Sequence, residues 1–118
     1  MTGFVPHDEL LSLVGHASAI FIPSLCEGFG LPALEAMAAG VPAAVADAGS
    51  LPEVCADAAV YFDPLNVEDI ARCLVVMATD IGLCNRLAEE GLKRSRCFTW
   101  ASCAQRTAEG LRGCLDLG

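Results

Sequence analysis

Apolar residues in this chain occur in two rhythms: short unbroken runs, and longer stretches where they recur every three or four positions. The runs Ala19–Pro23, Pro42–Ala46 and Ala59–Phe62 read as short buried strands, and the spaced stretches read as helices. Asp8 is placed to cap a helix from about Glu9 to Ala17, with Leu10, Leu13, Val14 and Ala17 on one face. A second helix is expected over Pro32–Ala39, ending at Gly40, which suits the left-handed step after a C-cap. Leu51–Cys55 reads as a single helical turn.

Beyond Pro64 the pattern is helical throughout. Asn66 is expected to cap a segment whose first turn holds Glu68 and Asp69, where the helix dipole favours acids. Its apolar positions are Ile70, Leu74, Met77 and Ala78. Asp80 should cap the next helix, with Leu83, Leu87 and Leu92 inward. Glu89 with Lys93 and Glu90 with Arg94 form i,i+4 pairs on its outer face. Thr99 should cap a last helix running toward Leu115. The order β-α-β-α-β followed by a helical tail is an α/β arrangement, half of a doubly wound parallel sheet. Three strands are few for such a sheet, so the chain is expected to be part of a larger unit.

Composition and charge narrow the function classes. At 118 residues the chain suits one domain, and 54% hydrophobic residues supply ample core. Aromatics make up only 6%, so the apolar mass is aliphatic, which favours layered helices and sheet. The formal net charge is −8, and no Lys or Arg precedes Arg72. There is no basic stripe to neutralise phosphates, which excludes nucleic acid as the main partner. The same acidity argues against adhesion to an anionic membrane. MTGFVPHDEL lacks a basic n-region, so no signal peptide is expected, and Leu10–Cys26 is too interrupted to span a bilayer. The seven cysteines are scattered, odd in number and without a CxxC pair. Reduced, mostly buried thiols in a cytoplasmic protein are expected, with no metal site.

Candidate chemistry concentrates in Glu27-Gly28-Phe29-Gly30-Leu31-Pro32-Ala33-Leu34-Glu35. The segment begins where a strand ends, and ligands of open α/β sheets sit beyond the carboxyl ends of strands. Two glycines let the backbone turn sharply and approach a ligand closely. Pro32 is expected at the first helical position, where its missing N–H costs nothing. The remaining N–H groups and the helix dipole make a cradle for an anion such as a diphosphate. Glu35, one turn in, is placed to accept hydrogen bonds from ribose hydroxyls. Glu27, before the turn, is placed to bind sugar hydroxyls or to stabilise positive charge at an anomeric carbon. From spacing alone two structural alternatives stay open: Glu35 favoured by the helix dipole without a ligand, and Glu27 as a solvated loop acid. The pattern is neither GxGxxG nor a P-loop.

The segment resembles the donor-binding region of GT-B glycosyltransferases of the large retaining family 4, marked by two glutamates separated by seven residues, here Glu27 and Glu35. The resemblance continues through AGVPAAVADAGSLPEV, through DAAVYFDP, and to Phe98-Thr99-Trp100 at the start of the final helix. It implies a partial Rossmann-like lobe, the second half of the GT-B C-terminal domain, spanning residues 1–118, with the N-terminal acceptor domain absent. It also implies transfer of a glycosyl group with retention of anomeric configuration, without a cofactor or bound metal. In such enzymes the residue matching Glu27 is catalytic, beside the donor sugar and leaving phosphate. Gly28, Phe29, Gly30 and Leu31 match donor-binding positions, and Glu35 matches the ribose ligand. The implied partners are a nucleotide-sugar donor (UDP-, GDP- or ADP-sugar) and an acceptor-binding lobe or partner chain.

A retaining hydrolase, with two carboxylates about 5 Å apart, is the competing chemistry. The phosphate cradle between the two acids argues against it, and the same spacing disfavours a sugar-nucleotide epimerase. A departing nucleoside diphosphate usually meets a side-chain cation, and residues 1–71 contain none. Family members take an Arg and a Lys from earlier in the same lobe. The isolated chain is therefore expected to bind donor weakly and not to turn over. A catalytically incomplete nucleotide-binding or interaction module is the alternative. The unfinished sheet edge predicts self-association. His16 and Trp100 read as structural, Trp100 as a packing residue. Asp47, Ser50 and Glu53 read as capping groups for Leu51–Cys55.

Overall fold

The computed structural model describes residues 3–116; residues 1, 2, 117 and 118 of the expected 1–118 domain lie outside the described residues. Three short parallel strands, β1 (Ile20–Ile22), β2 (Ala43–Ala46) and β3 (Ala59–Phe62), form one sheet in that order. Ile20 lies opposite Ala43, and Ala43 opposite Ala59. Successive side chains alternate between faces, so Phe21, Ala44, Ala46 and Phe62 share one face. The small side chains of β2 leave room above the middle strand. There the rings of Phe21 and Phe62 stack from the outer strands, 4.9 Å apart and 15° from parallel. All four residues of β2 are fully buried, as expected for the centre of a parallel sheet covered on both faces.

Helices supply the crossovers and the cover. Before the sheet lies α1 (His7–Gly15). α2 (Leu31–Ala38) joins β1 to β2, and α3 (Leu51–Cys55) with a 3₁₀ turn at Ala56–Ala58 joins β2 to β3. Then come α4 (Val67–Thr79), α5 (Ile81–Ser95) and α6 (Trp100–Asp116). The expected caps of the last three helices are present. Asn66 accepts from the Asp69 N–H, Asp80 from the Leu83 N–H, and Thr99 Oγ1 from the Ser102 N–H. At the end of α2 the Gly40 N–H reaches the Met37 carbonyl and the Val41 N–H the Ala36 carbonyl, a Schellman closure.

Several sequence expectations are corrected. α1 starts two residues earlier than expected, with Pro6 at its N-cap and Asp8 within its first turn. It buries no residue, and Leu10 and Leu13 are exposed. α4 packs through Ile70, Cys73 and Met77, leaving Leu74 and Ala78 exposed. On α5 the buried residue that meets α2 is Gly91, while Leu92 is exposed and lies against Gly40 just past the end of α2. A Cβ at Gly91 would lie 3.1 Å from Met37 Cγ and 3.4 Å from its Cα, so a side chain at this position would require Met37 to shift. Lys93 pairs with Glu90 at 2.9 Å rather than with Glu89, and Arg94 turns inward instead of pairing with Glu90. α6 buries no residue and Trp100 is 91% exposed, so Trp100 does not pack within the described chain.

The thiols also differ from expectation. Cys55 and Cys73 are buried and Cys84 is half-buried, but Cys26, Cys97, Cys103 and Cys114 are exposed. Burial pushes the Cys55 thiol up to about 11 and raises Cys73 as well, whereas a thiolate is needed to react. Labelling of the native chain with a maleimide at pH 8 should therefore modify the four exposed cysteines first, as read by peptide mass. Cys55 and Cys73 should react only after denaturant is added. Rapid native labelling at Cys55 would contradict the packing of α3.

Candidate functional site at the strand ends

Parallel strands bring their following loops to one edge of the sheet, and the candidate residues gather there. The turn after β1 carries Glu27, and α2 begins one residue after Gly30. Glu27 and Glu35 are half-buried, Gly28 is exposed, Gly30 is buried, and Phe29 and Leu31 are about half-exposed. α2 starts at Leu31, so Pro32 occupies its second position rather than its first. No side chain caps this helix, so the N–H groups of its first turn are left for solvent or a ligand.

The turn has a defined shape. Gly30 adopts a left-handed conformation, φ +83°, and a Cβ there would come within 3.3 Å of Leu51 Cδ2. The neighbouring loop after β2 crosses closely behind. At Gly49, φ +58°, a Cβ would stand 3.4 Å from the Glu27 nitrogen. Ser50 occupies the N-cap position of α3, yet its hydroxyl donates to the Glu27 carbonyl at 3.0 Å. The capping role expected for Ser50 is thus replaced by a tie between the two loops. Asp47 and Glu53 also do not cap α3 with their side chains: no side-chain cap is present there. The Asp47 N–H donates to the Phe62 carbonyl, extending the sheet pairing. His16 Nδ1 lies 2.8 Å from the Ser12 carbonyl, a local contact at the end of α1.

At the ends of β2 and β3 lies an open depression of about 330 Å³ lined by Asp47, Tyr61, Phe62, Asp63 and Asp69. The Asp69 carboxylate accepts the Asp63 N–H at 2.7 Å and pairs with Arg72 at 2.7 Å. These two bonds hold its pKa below the usual carboxylate value, the backbone bond contributing most. Burial, then the nearby Cys55, Asp57 and Asp47, push the Tyr61 hydroxyl up to about 12, so it remains neutral. Arg72 is therefore engaged with Asp69. Arg94 is engaged too: its Nε donates to the Val54 carbonyl at 2.9 Å and a terminal nitrogen to the Glu53 carbonyl at 2.7 Å.

A parallel sheet with an uncapped helix start between two glutamates at its carboxyl edge defines half of a Rossmann-like lobe. Residues 1–94 match the family model described as glycosyl transferases group 1, and the chain belongs to that family. Serotype-specific mannosyltransferase WbdA of Escherichia coli is 38% identical over 109 residues, covering 92% of this chain and 13% of that protein. O-antigen chain mannosyltransferase B of Escherichia coli is 37% identical over 105 residues, covering 89% of this chain and 28% of that protein. Sucrose-phosphate synthase from Thermosynechococcus elongatus superposes with a TM-score of 0.81 at 24% identity, over 99% of this chain and 30% of its own, which speaks to fold alone. This chain thus spans between 13% and 30% of the length of these proteins. Among the described residues no helix is long and apolar enough to cross a membrane.

Sequence reasoning named the groups behind the turn only in other roles, Ser50 as a cap, Arg94 as a partner of Glu90 and Phe98 within the family resemblance. Each contacts the turn or its supports, and no local signal announces that contact. Arg94 has Glu90 four residues earlier, so helical spacing offered a nearer partner than a carbonyl forty residues away.

Proposed function

We propose that the Glu27–Glu35 turn is the donor site for retaining glycosyl transfer from a nucleotide sugar. The observation that carries this reading is the uncapped start of α2, preceded by a glycine turn and flanked by two half-buried glutamates. The free N–H groups of the turn and first helical turn receive the diphosphate. Glu35 accepts from the ribose hydroxyls. Glu27 lies beside the sugar and stabilises positive charge at the anomeric carbon as the leaving group departs. No metal is assigned a role. The names of the relatives make a mannosyl group the first donor to test, with UDP, GDP and ADP as candidate nucleotides. The scattered, unpaired cysteine pattern fits a reducing cytoplasm.

The matching experiment is calorimetric titration of GDP-mannose, UDP-glucose and ADP-glucose into wild type and Glu35→Ala. Losing hydrogen bonds to a charged group costs roughly 1.5–3 kcal/mol, so the variant should bind at least about tenfold more weakly. Equal affinities would sink the ribose assignment.

A second reading has its own observation. No cation precedes Arg72, and Arg72 and Arg94 are already engaged by Asp69 and by carbonyls of α3. The chain alone then holds donor weakly and lacks the charge to release it, and an acceptor-binding lobe or partner chain supplies the remainder. Sustained glycosyl transfer by this polypeptide alone refutes that reading.

A further inference from the structure

The middle of the candidate donor turn is not fixed by hydrogen bonds. Among the described residues the carbonyls of Glu27 and Gly30 are bonded, by Ser50 and by the Leu34 N–H, but no bond holds Gly28 or Phe29. What holds Phe29 is a ring. It meets Phe98 edge-to-face, with centroids 5.8 Å apart and planes at 81°. Phe98 sits in the junction between α5 and α6, partly buried against the core. The Arg94 guanidinium lies over its ring, 5.0 Å from the centroid.

Arg94 also holds the opposite support. Its two bonds fix the carbonyls of Glu53 and Val54 in α3, and Leu51 and Val54 of that helix form the wall against which Gly30 packs. Both flanks of the turn therefore lead to one side chain. Only arginine has the geometry for this, because a planar fork can donate in its plane while stacking with its face. A lysine ammonium is a single point of charge.

We propose that Arg94 and Phe98 are positioning residues that hold the 27–31 turn in its donor-receiving shape, so that the α5–α6 junction sets the site before any ligand arrives. The proposal rests on the donor reading of that turn and adds the device that presets it. Ordering the turn in advance removes an entropic cost from binding, and the brace should therefore appear in affinity as well as in mobility.

The test is backbone ¹⁵N relaxation on the full chain without ligand. In wild type the amides of Gly28, Phe29 and Gly30 should be rigid, with order parameters of about 0.85. In Phe98→Leu and in Arg94→Lys they should fall below about 0.6, while the amides of β2 remain rigid. Phe98→Tyr, which keeps the ring, should retain the wild-type values. Phe29→Leu removes the contact from the exposed side without touching α5 and should loosen the turn equally. The double variant Phe29→Leu, Phe98→Leu should be no looser than either single one. GDP-mannose, if it is the nucleotide sugar that wild type binds, should bind Phe98→Leu roughly tenfold more weakly.

A turn that stays ordered in both Phe98→Leu and Phe29→Leu overturns the brace. So does loss of order that spreads equally through β2. Failure of wild type to bind any of the three sugar nucleotides overturns the donor reading instead, and the relaxation comparison still decides the brace.

Discussion

Replacing Phe62 with alanine should remove about 3–5 kcal/mol of stability, the cost of deleting a fully buried aromatic and leaving a cavity. Phe62 is 1% exposed and ends β3. Its ring lies against that of Phe21 over the alanines of β2, whose side chains are too small to fill the space. A domain of this size has roughly 5–15 kcal/mol in total, so a loss of that order takes a large fraction of it. With a urea dependence of about 1–3 kcal/mol per molar, the unfolding midpoint should drop by at least about 1 M. Phe21→Ala should cost less, because Phe21 is only partly buried. A Phe62→Ala midpoint indistinguishable from wild type would mean that the stacked pair does not anchor the sheet.

Gly30→Val should be nearly as damaging, and its effect should reach the site directly. Gly30 has φ +83°, a region that costs an L-residue about 1–2 kcal/mol and a β-branched one more. A side chain there also collides with Leu51, 3.3 Å from the first added carbon, and overpacking typically costs about 1–3 kcal/mol. Together these give an expected loss of about 2–5 kcal/mol. Relief requires Leu51, which is fully buried, or the turn itself to shift, and a shift of the turn displaces the helix start proposed to receive the diphosphate. Nucleotide-sugar binding should be undetectable in the variant even where circular dichroism shows it folded. Gly28 provides the contrast. It has no positive φ and nothing within 4 Å of an added Cβ, so Gly28→Ala should change stability by less than about 0.5 kcal/mol. If both glycines tolerate substitution equally, the turn does not have the shape described.

Much of this was legible because it is written locally. The three strands stand out as apolar runs, since a strand in a covered parallel sheet has no polar side to show. Asn66, Asp80 and Thr99 announce helix starts because a cap acts within three residues of itself. Gly40 and the Glu27–Glu35 segment were readable for the same reason. The errors share an opposite cause. Leu92 matched helical spacing, but the close approach of Met37 selected Gly91. Trp100, Leu10 and Leu13 looked like core, and helices α1 and α6 bury nothing in the described chain. Ser50 looked like a cap, and the crossing loop took its hydroxyl.

By itself the sequence determined the order of elements, the parallel class of the sheet, the family resemblance and the position of the candidate donor turn. Those follow from periodicity, capping and residue spacing along a few turns of chain. Only the tertiary structure decided which faces are inward, which cations are already engaged, and what stands behind the turn. Arg94 reaches carbonyls 40 and 41 residues away, and Phe98 meets a ring from the first third of the chain. Such pairings are set by how helices and loops pack on the sheet, where the best partner for a guanidinium is whichever carbonyl the fold leaves in reach, and no local pattern encodes that distance.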